Sequence, residues 1–258
     1  FLHIKDDLLA ANSLSSNIKK HDLPFFEELR LENVSFTYPG KDIAAIDNIS
    51  LKIASNDSIA FIGPSGSGKS TLVNLVLGLL VPSNGKLNIN CKEQGFNDVK
   101  NRDSLIGYVP QDIYLTDKTI LENIAFGVDM AEIDLSKVTN AIKLANLESF
   151  IDTFEKGLNT LVGERGVQIS GGQKQRIGIA RALYNDPEIL IFDEATSALD
   201  GKAEKLILES INSILQKKTI IMVAHRLNTV KRCGRICIME EGRIVESGDY
   251  DKLIRESK

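Results

Sequence analysis

The chain has 258 residues, of which 43% are hydrophobic and 26% charged, with a formal net charge of −4. This composition is that of an ordinary globular protein, and it excludes a disordered chain, a collagen-like repeat and a disulfide-stapled miniprotein. The acidic balance argues against binding nucleic acid through a broad basic surface. The length allows one large domain or two small ones at roughly 100–200 residues per domain. The 3 cysteines show no pairing pattern, which indicates free thiols in a reducing compartment.

The first part of the chain, residues 1–26, differs from the rest and is interpreted as a linker. It combines a short helical pattern with a polar stretch, and charged Lys5 and Asp6 stand where a signal peptide needs an apolar core. The longest apolar stretch of the chain, at 73–81, is far shorter than the ~20 residues that cross a bilayer. Because the chain begins with Phe1 rather than Met, we expect that it was cut from a longer protein.

The hydrophobic pattern from Leu29 onward predicts an α/β domain that occupies residues 27–258. Alternation of apolar and polar residues at 49–53 predicts a half-exposed antiparallel strand. Short continuous apolar runs predict parallel strands buried on both faces. These runs lie at 59–62, 106–109, 189–192 and 220–223.

Helical patterns occupy two regions between these strands. One covers 69–80 and is stopped by Pro82, and the other covers most of 121–185. Near the end, strands at 235–240 and 243–246 flank Glu241-Gly242, which predicts a hairpin with a two-residue turn.

A glycine-rich loop between a predicted strand and a predicted helix carries the first functional motif. Residues 63–70 read GPSGSGKS and match the phosphate-binding pattern G-x-x-x-x-G-K-[ST]. Glycines let backbone N–H groups curl around an anion, and the helix adds its positive N-terminal end. The Lys69 ammonium can reach the β- and γ-phosphates, and the Ser70 hydroxyl can bind Mg²⁺. The candidate phosphate-binding residues are Gly63, Ser65, Gly66, Ser67, Gly68, Lys69, Ser70 and Thr71.

That motif alone predicts only a P-loop nucleotide binder, since small-molecule kinases, GTPases and motor ATPases share it. The alternative is a flexible Gly/Ser turn, which the strand–loop–helix context disfavours.

A second motif lies at the end of the predicted strand at 189–192, which is followed by Asp193 and Glu194. Carboxylates at this end of a central strand face the crevice in which α/β sheets bind ligands. Asp193 is therefore a candidate for orienting Mg²⁺, and Glu194 for polarising an attacking water. Neighbouring strand residues point to opposite faces, so both serve one site only if the strand ends here, with a turn at 195–197.

The third motif, ISGGQ at 169–173, precedes a predicted helix. Ser170 is a good N-cap residue, and Gly171 and Gly172 allow a phosphate to approach the helix N-terminus closely. Taken alone, the motif is equally compatible with an ordinary glycine-rich cap. It resembles the LSGGQ signature of the ATP-binding cassette (ABC) ATPase family, with Ile169 in place of leucine, and Gln173 completes the match. The resemblance covers residues 29–253.

The resemblance implies a fold and further site residues. The implied fold is a P-loop NTPase (RecA-like) α/β core with a mainly parallel sheet, an antiparallel β subdomain and an α-helical signature subdomain at about 119–185. Tyr38 matches the aromatic residue that stacks on adenine, and Gln111 matches the glutamine that contacts Mg²⁺ or the lytic water. His225 matches the switch histidine at the γ-phosphate, and Asp200 matches the D-loop aspartate at the subunit interface. The implied cofactors are ATP and Mg²⁺.

Two further stretches resemble exporters within this family. These are VGERG at 162–166 and TILENI at 119–124, and exporter cassettes are usually fused C-terminal to six membrane helices. The resemblance therefore implies a transmembrane domain before Phe1 and a position at the cytoplasmic face of the cell membrane. Residues 109–117 also resemble the corresponding stretch of flippases for lipid-linked oligosaccharides or polysaccharides.

The family further implies a head-to-tail homodimer of nucleotide-binding domains. In such a dimer the signature of one subunit caps ATP held by the phosphate loop of the other, and hydrolysis loosens the contact. Lys69, Gln111, Glu194 and His225 are the expected catalytic residues. Three alternatives stay open: a non-transport ABC ATPase, an importer ATPase subunit, and a degenerate cassette that holds ATP without hydrolysing it. No nucleic-acid partner is expected.

Overall fold

The computed structural model describes residues 26–90, 92–93, 105–164, 166–195, 201–215, 217–224 and 230–256. In these ranges the strands are β1 (Glu28–Phe36), β2 (Ile46–Ala54), β3 (Ser58–Ile62), β4 (Asn84–Ile89), β5 (Lys92–Glu93), β6 (Ile106–Val109), β7 (Ile189–Asp193), β8 (Thr219–Val223), β9 (Arg235–Glu240) and β10 (Arg243–Gly248). The helices are α1 (Lys69–Val76), α2 (Ile120–Ile124), α3 (Leu135–Leu144), α4 (Glu148–Ile151), α5 (Gly171–Leu183), α6 (Gly201–Ile214) and α7 (Tyr250–Glu256). Residues 1–25, nearly all of the expected linker, lie outside these ranges.

The strands form two sheets with different pairing. A four-stranded sheet in the order β2-β1-β4-β5 is antiparallel throughout. A six-stranded sheet has the order β10-β9-β3-β8-β7-β6, and its strands from β9 to β6 are parallel. The β9–β10 hairpin adds one antiparallel edge. The predicted mainly parallel sheet, the separate antiparallel sheet and the C-terminal hairpin are therefore confirmed.

The core lies on both faces of the six-stranded sheet, which explains the continuous apolar runs in its strands. In β7, Leu190 and Phe192 belong to a cluster built with α2, α3, α5 and α6. Ile189 and Ile191 belong to a second cluster, built with α1 and the antiparallel sheet. All of these strand residues are fully buried. Phe26, just before β1, is also fully buried in the second cluster.

Helix α1 is shorter than the hydrophobic pattern predicted. It ends at Val76 rather than at residue 80, and Gly78 takes the left-handed conformation with φ 72°. The Gly78 N–H donates to the Leu75 carbonyl, and the Leu79 N–H donates to the Asn74 carbonyl. These bonds satisfy the last carbonyls of the helix in a Schellman motif. Gly78, and not Pro82, therefore stops the helix.

The region predicted to be mostly helical contains α2 to α5, joined by turns. Thr119 caps α2 with a capping box, since its hydroxyl accepts from the Glu122 N–H while the Glu122 carboxylate accepts from the Thr119 N–H.

In the described part of the chain, every helix is too short or too polar to cross a membrane.

Two of the cysteines are free thiols in the core, as expected. Cys233 and Cys237 are buried and unpaired. Burial raises the pKa of Cys233 to about 12 and that of Cys237 to about 11. Both therefore behave as small apolar side chains and not as nucleophiles. Cys91 lies outside the described residues.

Candidate active site

A cavity of about 280 Å³ opens where β3 ends and α1 begins. Its lining consists of Tyr38, Ala45, Ser65, Gly66, Gly68, Lys69, Ser70, Thr71 and Glu194. All of these except Ala45 were predicted from the sequence. The fold thus brings the glycine-rich loop together with a tyrosine that follows β1 and an acid that follows β7.

The glycine-rich loop needs its glycines for two different reasons. Gly68 has φ 100°, and a Cβ atom there would lie 2.5 Å from the Ala45 carbonyl oxygen, so a side chain is excluded by backbone. Gly66 has φ 80°, but a Cβ atom there would meet no heavy atom within 4 Å. The loop is therefore packed tightly on the protein at Gly68 and open at Gly66, which leaves room for a phosphate chain against its backbone.

The Lys69 side chain is folded into this loop. Only 5% of the residue is exposed. Its Nζ donates to the carbonyl oxygens of Gly63 and Pro64 at 2.9 and 2.8 Å. It also lies 3.3 Å from the Ser67 hydroxyl. Burial lowers the pKa of Lys69, and the negative charges of Glu194 and Asp193 oppose that shift. An ammonium held among carboxylates and carbonyls is suited to meet an incoming phosphate.

Tyr38 forms the other wall of the cavity. Its ring meets Phe36 edge to face, with centroids 4.9 Å apart, and its hydroxyl lies 3.2 Å from the Thr71 hydroxyl. The residue is 40% exposed. These two contacts hold the side chain in place while a large part of it stays exposed, which suits stacking on a base.

The two acids are separated by a change in backbone direction. β7 ends at Asp193, and Glu194 takes a left-handed conformation with φ 50°. The Glu194 N–H donates to the Val223 carbonyl at 3.0 Å, which holds this turn. Non-glycine residues at positive φ are uncommon and store strain at functional sites. The strand therefore ends where both acids need it to end to serve one site, while residues 196 and 197 of the predicted turn lie outside the described residues.

Tyr108, a residue that the sequence analysis did not single out, contacts Asp193. Its hydroxyl donates to Asp193 Oδ2 at 3.3 Å. Burial raises the pKa of Tyr108 to about 12, with the Asp193 charge and the hydrogen bond adding to the effect. The sequence offers one sign of this contact, a hydroxyl-bearing residue within the apolar run IGYV at 106–109. The order of elements along the chain does not reveal that β6 and β7 are neighbours in the sheet.

The signature segment forms the predicted capped helix start. The Ser170 hydroxyl accepts from the Gln173 N–H at 3.3 Å, and Gln173 Oε1 accepts from the Ser170 N–H at 2.9 Å. This capping box begins α5, and Ser170 and Gly171 are exposed. Among the described residues that line the cavity, none comes from this segment. The phosphate loop and the signature segment are therefore two separate helix starts.

Helix α5 is packed directly against the segment that carries Gln111. Gln175 Nε2 donates to the Pro110 carbonyl at 3.3 Å, and the Arg181 guanidinium donates to the Tyr114 carbonyl at 3.0 Å. Gly178 makes room for the Ile113 side chain, whose Cδ1 would lie 2.3 Å from a Cβ atom at that position. Gln111 itself is exposed between these contacts. The signature helix and the glutamine segment thus share one rigid contact.

Two predicted site residues, Asp200 and His225, lie outside the described residues. Of the metal candidates, Ser70 is exposed and lines the cavity, whereas the partly buried Asp193 and the exposed Gln111 are not among its lining residues. Asp193 directly precedes Glu194, which lines the cavity. In the described part of the chain, no group of three or more His, Cys, Asp or Glu side chains could hold a metal ion. A hydroxyl and a carboxylate are oxygen donors that suit Mg²⁺, which takes few protein ligands when it binds together with phosphates. The residues present therefore fit Mg²⁺ accompanied by a nucleotide.

Several known proteins are similar to this chain. A family model described as ABC transporter matches residues 46–197. The ATP-dependent lipid A-core flippase of Ralstonia nicotianae is 39% identical, over 88% of this chain and 38% of that protein. The alpha-hemolysin translocation ATP-binding protein HlyB of Escherichia coli is 42% identical, over 89% of this chain and 32% of that protein. Each of these relatives is therefore much longer than this chain.

A similar solved structure is that of a bacterial Atm1-family ABC exporter with ATP bound. It superposes with a TM-score of 0.81 at 34% identity, over 94% of this chain and 42% of that chain. The likeness thus extends over nearly the whole of this chain and under half of the solved one.

Proposed function

Since the chain belongs to the ABC transporter family, we propose that it is the ATP-binding and ATP-hydrolysing domain of an exporter. The observation that carries the proposal is the cavity in which Tyr38, Lys69 and Glu194 meet. An aromatic wall, an ammonium and a carboxylate around one cavity provide contacts for a base, for phosphates and for an attacking water, respectively.

Binding begins from the residues that line the cavity. Tyr38 stacks on the adenine, and the backbone N–H groups of the loop from Gly63 to Thr71 surround the phosphates. Lys69, held at the loop by carbonyl oxygens, turns its ammonium to the β- and γ-phosphates. Ser65 and Ser67 are the loop residues between the glycines, and their small side chains keep the backbone accessible.

Three residues would hold Mg²⁺: the Ser70 hydroxyl, the Asp193 carboxylate and the Gln111 side chain. The bound cation neutralises charge that develops on the phosphates during transfer. Asp193 reaches the site from the end of β7, and Gln111 follows the neighbouring strand β6. Two of the three ligands, Asp193 and Gln111, therefore come from adjacent strand ends, and Ser70 comes from the first turn of α1.

Glu194 would position and polarise the attacking water. Its conformation at φ 50° turns the chain at the end of β7, and its side chain lines the cavity. His225 is proposed to stabilise the transferring γ-phosphoryl group, by its match to the family's switch histidine. In-line attack needs such preorganised groups because most of the catalytic effect is positioning and electrostatic stabilisation.

We propose that the complete site is shared between two copies in a head-to-tail arrangement. The support is that the signature residues, Ser170 to Gln173, form an anion-binding helix start away from the cavity. In a two-fold dimer each signature would cap the γ-phosphate held by the other copy, with Asp200 at the interface. Loss of the γ-phosphate would remove the bridging charge and weaken the contact.

The whole protein is proposed to export or flip a substrate across a membrane, with this domain at the cytoplasmic face and a transmembrane domain as its partner. The chain spans between 18% and 38% of the length of the curated relatives it matches. Relatives named for flipping and translocation favour an exporter over an importer subunit or a non-transport ATPase. One of these relatives is named for lipid A-core and another for alpha-hemolysin, so their names do not agree on a substrate class. The proposal of a lipid-linked substrate for this protein therefore rests on the resemblance at 109–117.

The experiment that tests this function compares ATP binding by calorimetry with phosphate release across a range of protein concentrations. Glu194→Gln should bind ATP but release phosphate at least about tenfold more slowly, because the water-positioning carboxylate is gone. Lys69→Ala should weaken ATP binding itself. The exposed Glu132→Gln serves as the control, since it does not line the cavity. Near-normal turnover of Glu194→Gln, or turnover per subunit that is independent of concentration, would contradict the proposal.

A further inference from the structure

The Asp193 carboxylate interacts with two groups of the site. The Tyr108 hydroxyl donates to its Oδ2 at 3.3 Å. The Lys69 ammonium attracts it electrostatically, which opposes the effect of burial on the pKa of Lys69. The hydrogen bond is a direct contact and therefore orients the carboxylate toward β6.

The sheet explains why Tyr108 reaches this carboxylate. β6 and β7 are parallel neighbours, and Tyr108 is paired with Ile191 in register. Ile191 and Asp193 are two residues apart in β7 and therefore point to the same face of the sheet. The Tyr108 ring packs on the hydrophobic cluster on that face, which also contains the buried residues of α1. The ring is thus held by packing while its hydroxyl extends along the face to the end of the next strand.

We propose that Tyr108 is a positioning residue for magnesium, holding the Asp193 carboxylate toward the end of β6 and away from Lys69. The proposal rests on the proposed function, because it assumes that Asp193 serves Mg²⁺. Tyr108 lies in β6, three residues before Gln111, which follows the end of that strand. Its hydrogen bond therefore links the end of β7, which carries Asp193, to the strand that leads to Gln111.

Without the hydroxyl, Asp193 would lose the hydrogen bond that orients it toward β6, while its electrostatic attraction to the Lys69 ammonium would remain. A carboxylate paired with an ammonium is less available to a cation. The proposal therefore predicts a selective effect: the Mg²⁺ requirement changes, while nucleotide affinity in the absence of Mg²⁺ does not. A merely structural role for the tyrosine would change both together.

The test compares wild type, Tyr108→Phe and Tyr250→Phe. Tyr250 begins α7 and does not line the cavity, so it controls for the loss of a tyrosine hydroxyl elsewhere. ADP is the probe because it is not hydrolysed. Its dissociation constant is measured by calorimetry in EDTA and at increasing free Mg²⁺, and the spectrum of bound Mn²⁺ with ADP is recorded by electron paramagnetic resonance.

In EDTA all three proteins should bind ADP within about twofold of one another. The free Mg²⁺ that gives half of the maximal enhancement should rise about threefold to tenfold in Tyr108→Phe only, as expected for the net contribution of one ordinary hydrogen bond, here 3.3 Å long. The Mn²⁺ spectrum should change in the same variant. An unchanged Mg²⁺ requirement, or an equal loss of ADP affinity with and without Mg²⁺, would overturn the proposal. If wild type bound no ADP, the proposed function itself would fail, which is a separate result.

Discussion

Helix α5 is connected to the segment that carries Gln111 through one buried side-chain amide, that of Asn123. Replacing this amide gives a quantitative test of the fold. Asn123 in α2 is fully buried. Its Oδ1 accepts from the Thr116 N–H at 3.0 Å, from the Thr116 hydroxyl and from the Arg181 guanidinium, both at 3.2 Å. Its Nδ2 donates to the Thr116 and Thr119 carbonyls at 3.1 and 3.0 Å. One side chain thus joins a loop, a helix start and α5.

Asn123→Ala should destabilise the protein by about 2 kcal/mol, because the Thr116 N–H would lose its acceptor and an unpaired group costs about 1–3 kcal/mol. The Thr116 carbonyl still accepts from the Lys118 N–H at 2.7 Å, so it adds little. Arg181 likewise keeps its bonds to the carbonyls of Tyr114 and Asn123. At about 2–4 °C per kcal/mol for a chain of this size, the melting temperature should fall by about 4–8 °C. Asn123→Asp should cost at least as much, because it would turn a carboxylate oxygen toward carbonyl oxygens.

The measurement is urea unfolding of both variants, with the exposed Asn159→Ala as the control, which should stay within about 0.5 kcal/mol of wild type. Because Asn123 does not line the cavity, ADP affinity measured well below the melting temperature should be unchanged. A loss below about 1 kcal/mol for Asn123→Ala would refute the reasoning from unpaired buried groups. A loss of ADP affinity in the folded variant would show that the contacts of Asn123 also affect the geometry of the nucleotide site.

Two further predictions concern the cavity wall. Gly68→Ala should weaken ADP binding, measured by calorimetry, at least about tenfold, because the φ of 100° and the Ala45 carbonyl oxygen at 2.5 Å both exclude a side chain. Gly234→Ala is the control and should bind ADP normally, since a Cβ atom there would have its nearest neighbour at 3.5 Å. Tyr38→Phe should keep ADP affinity within about threefold while Tyr38→Ala loses at least about fivefold, since stacking requires the ring and not the hydroxyl bond to Thr71. Equal losses in the two Tyr38 variants would assign the effect to the hydroxyl.

The parts of the site that the sequence predicted are those set by local chemistry. Ser170 and Gln173 are three residues apart and form a capping box within one helical turn, so the pattern alone defines the helix start. Glu241 and Gly242 form the predicted two-residue turn because both take positive φ, 46° and 79°, as such a hairpin turn requires. The phosphate loop belongs to the same class, because its glycines, lysine and serine are contiguous.

The parts that the sequence did not reveal depend on which elements become neighbours. Tyr108 acquires a role only because β6 lies beside β7, more than 80 residues later in the chain. Ala45 lines the cavity through its place before β2, although nothing in its residue type indicates a site. The end of α1 was misplaced for a different reason: leucines on both sides of Gly78 continue the helical pattern, while the backbone leaves the helix at the glycine.

The phosphate loop also shows why distant segments must be correct before the local motif can function. The Gly242 N–H at the turn of the β9–β10 hairpin donates to the Ser67 carbonyl, and the Gly242 carbonyl accepts from the Asp47 N–H at the start of β2. The loop is thereby tied through one turn to both sheets. Tyr38 follows the end of β1 in the antiparallel sheet and Glu194 follows a parallel strand, so these bonds connect the elements that carry the proposed base-binding and catalytic residues. A glycine-rich loop supplies backbone N–H groups for phosphates, and the hairpin turn helps to hold those groups relative to both sheets.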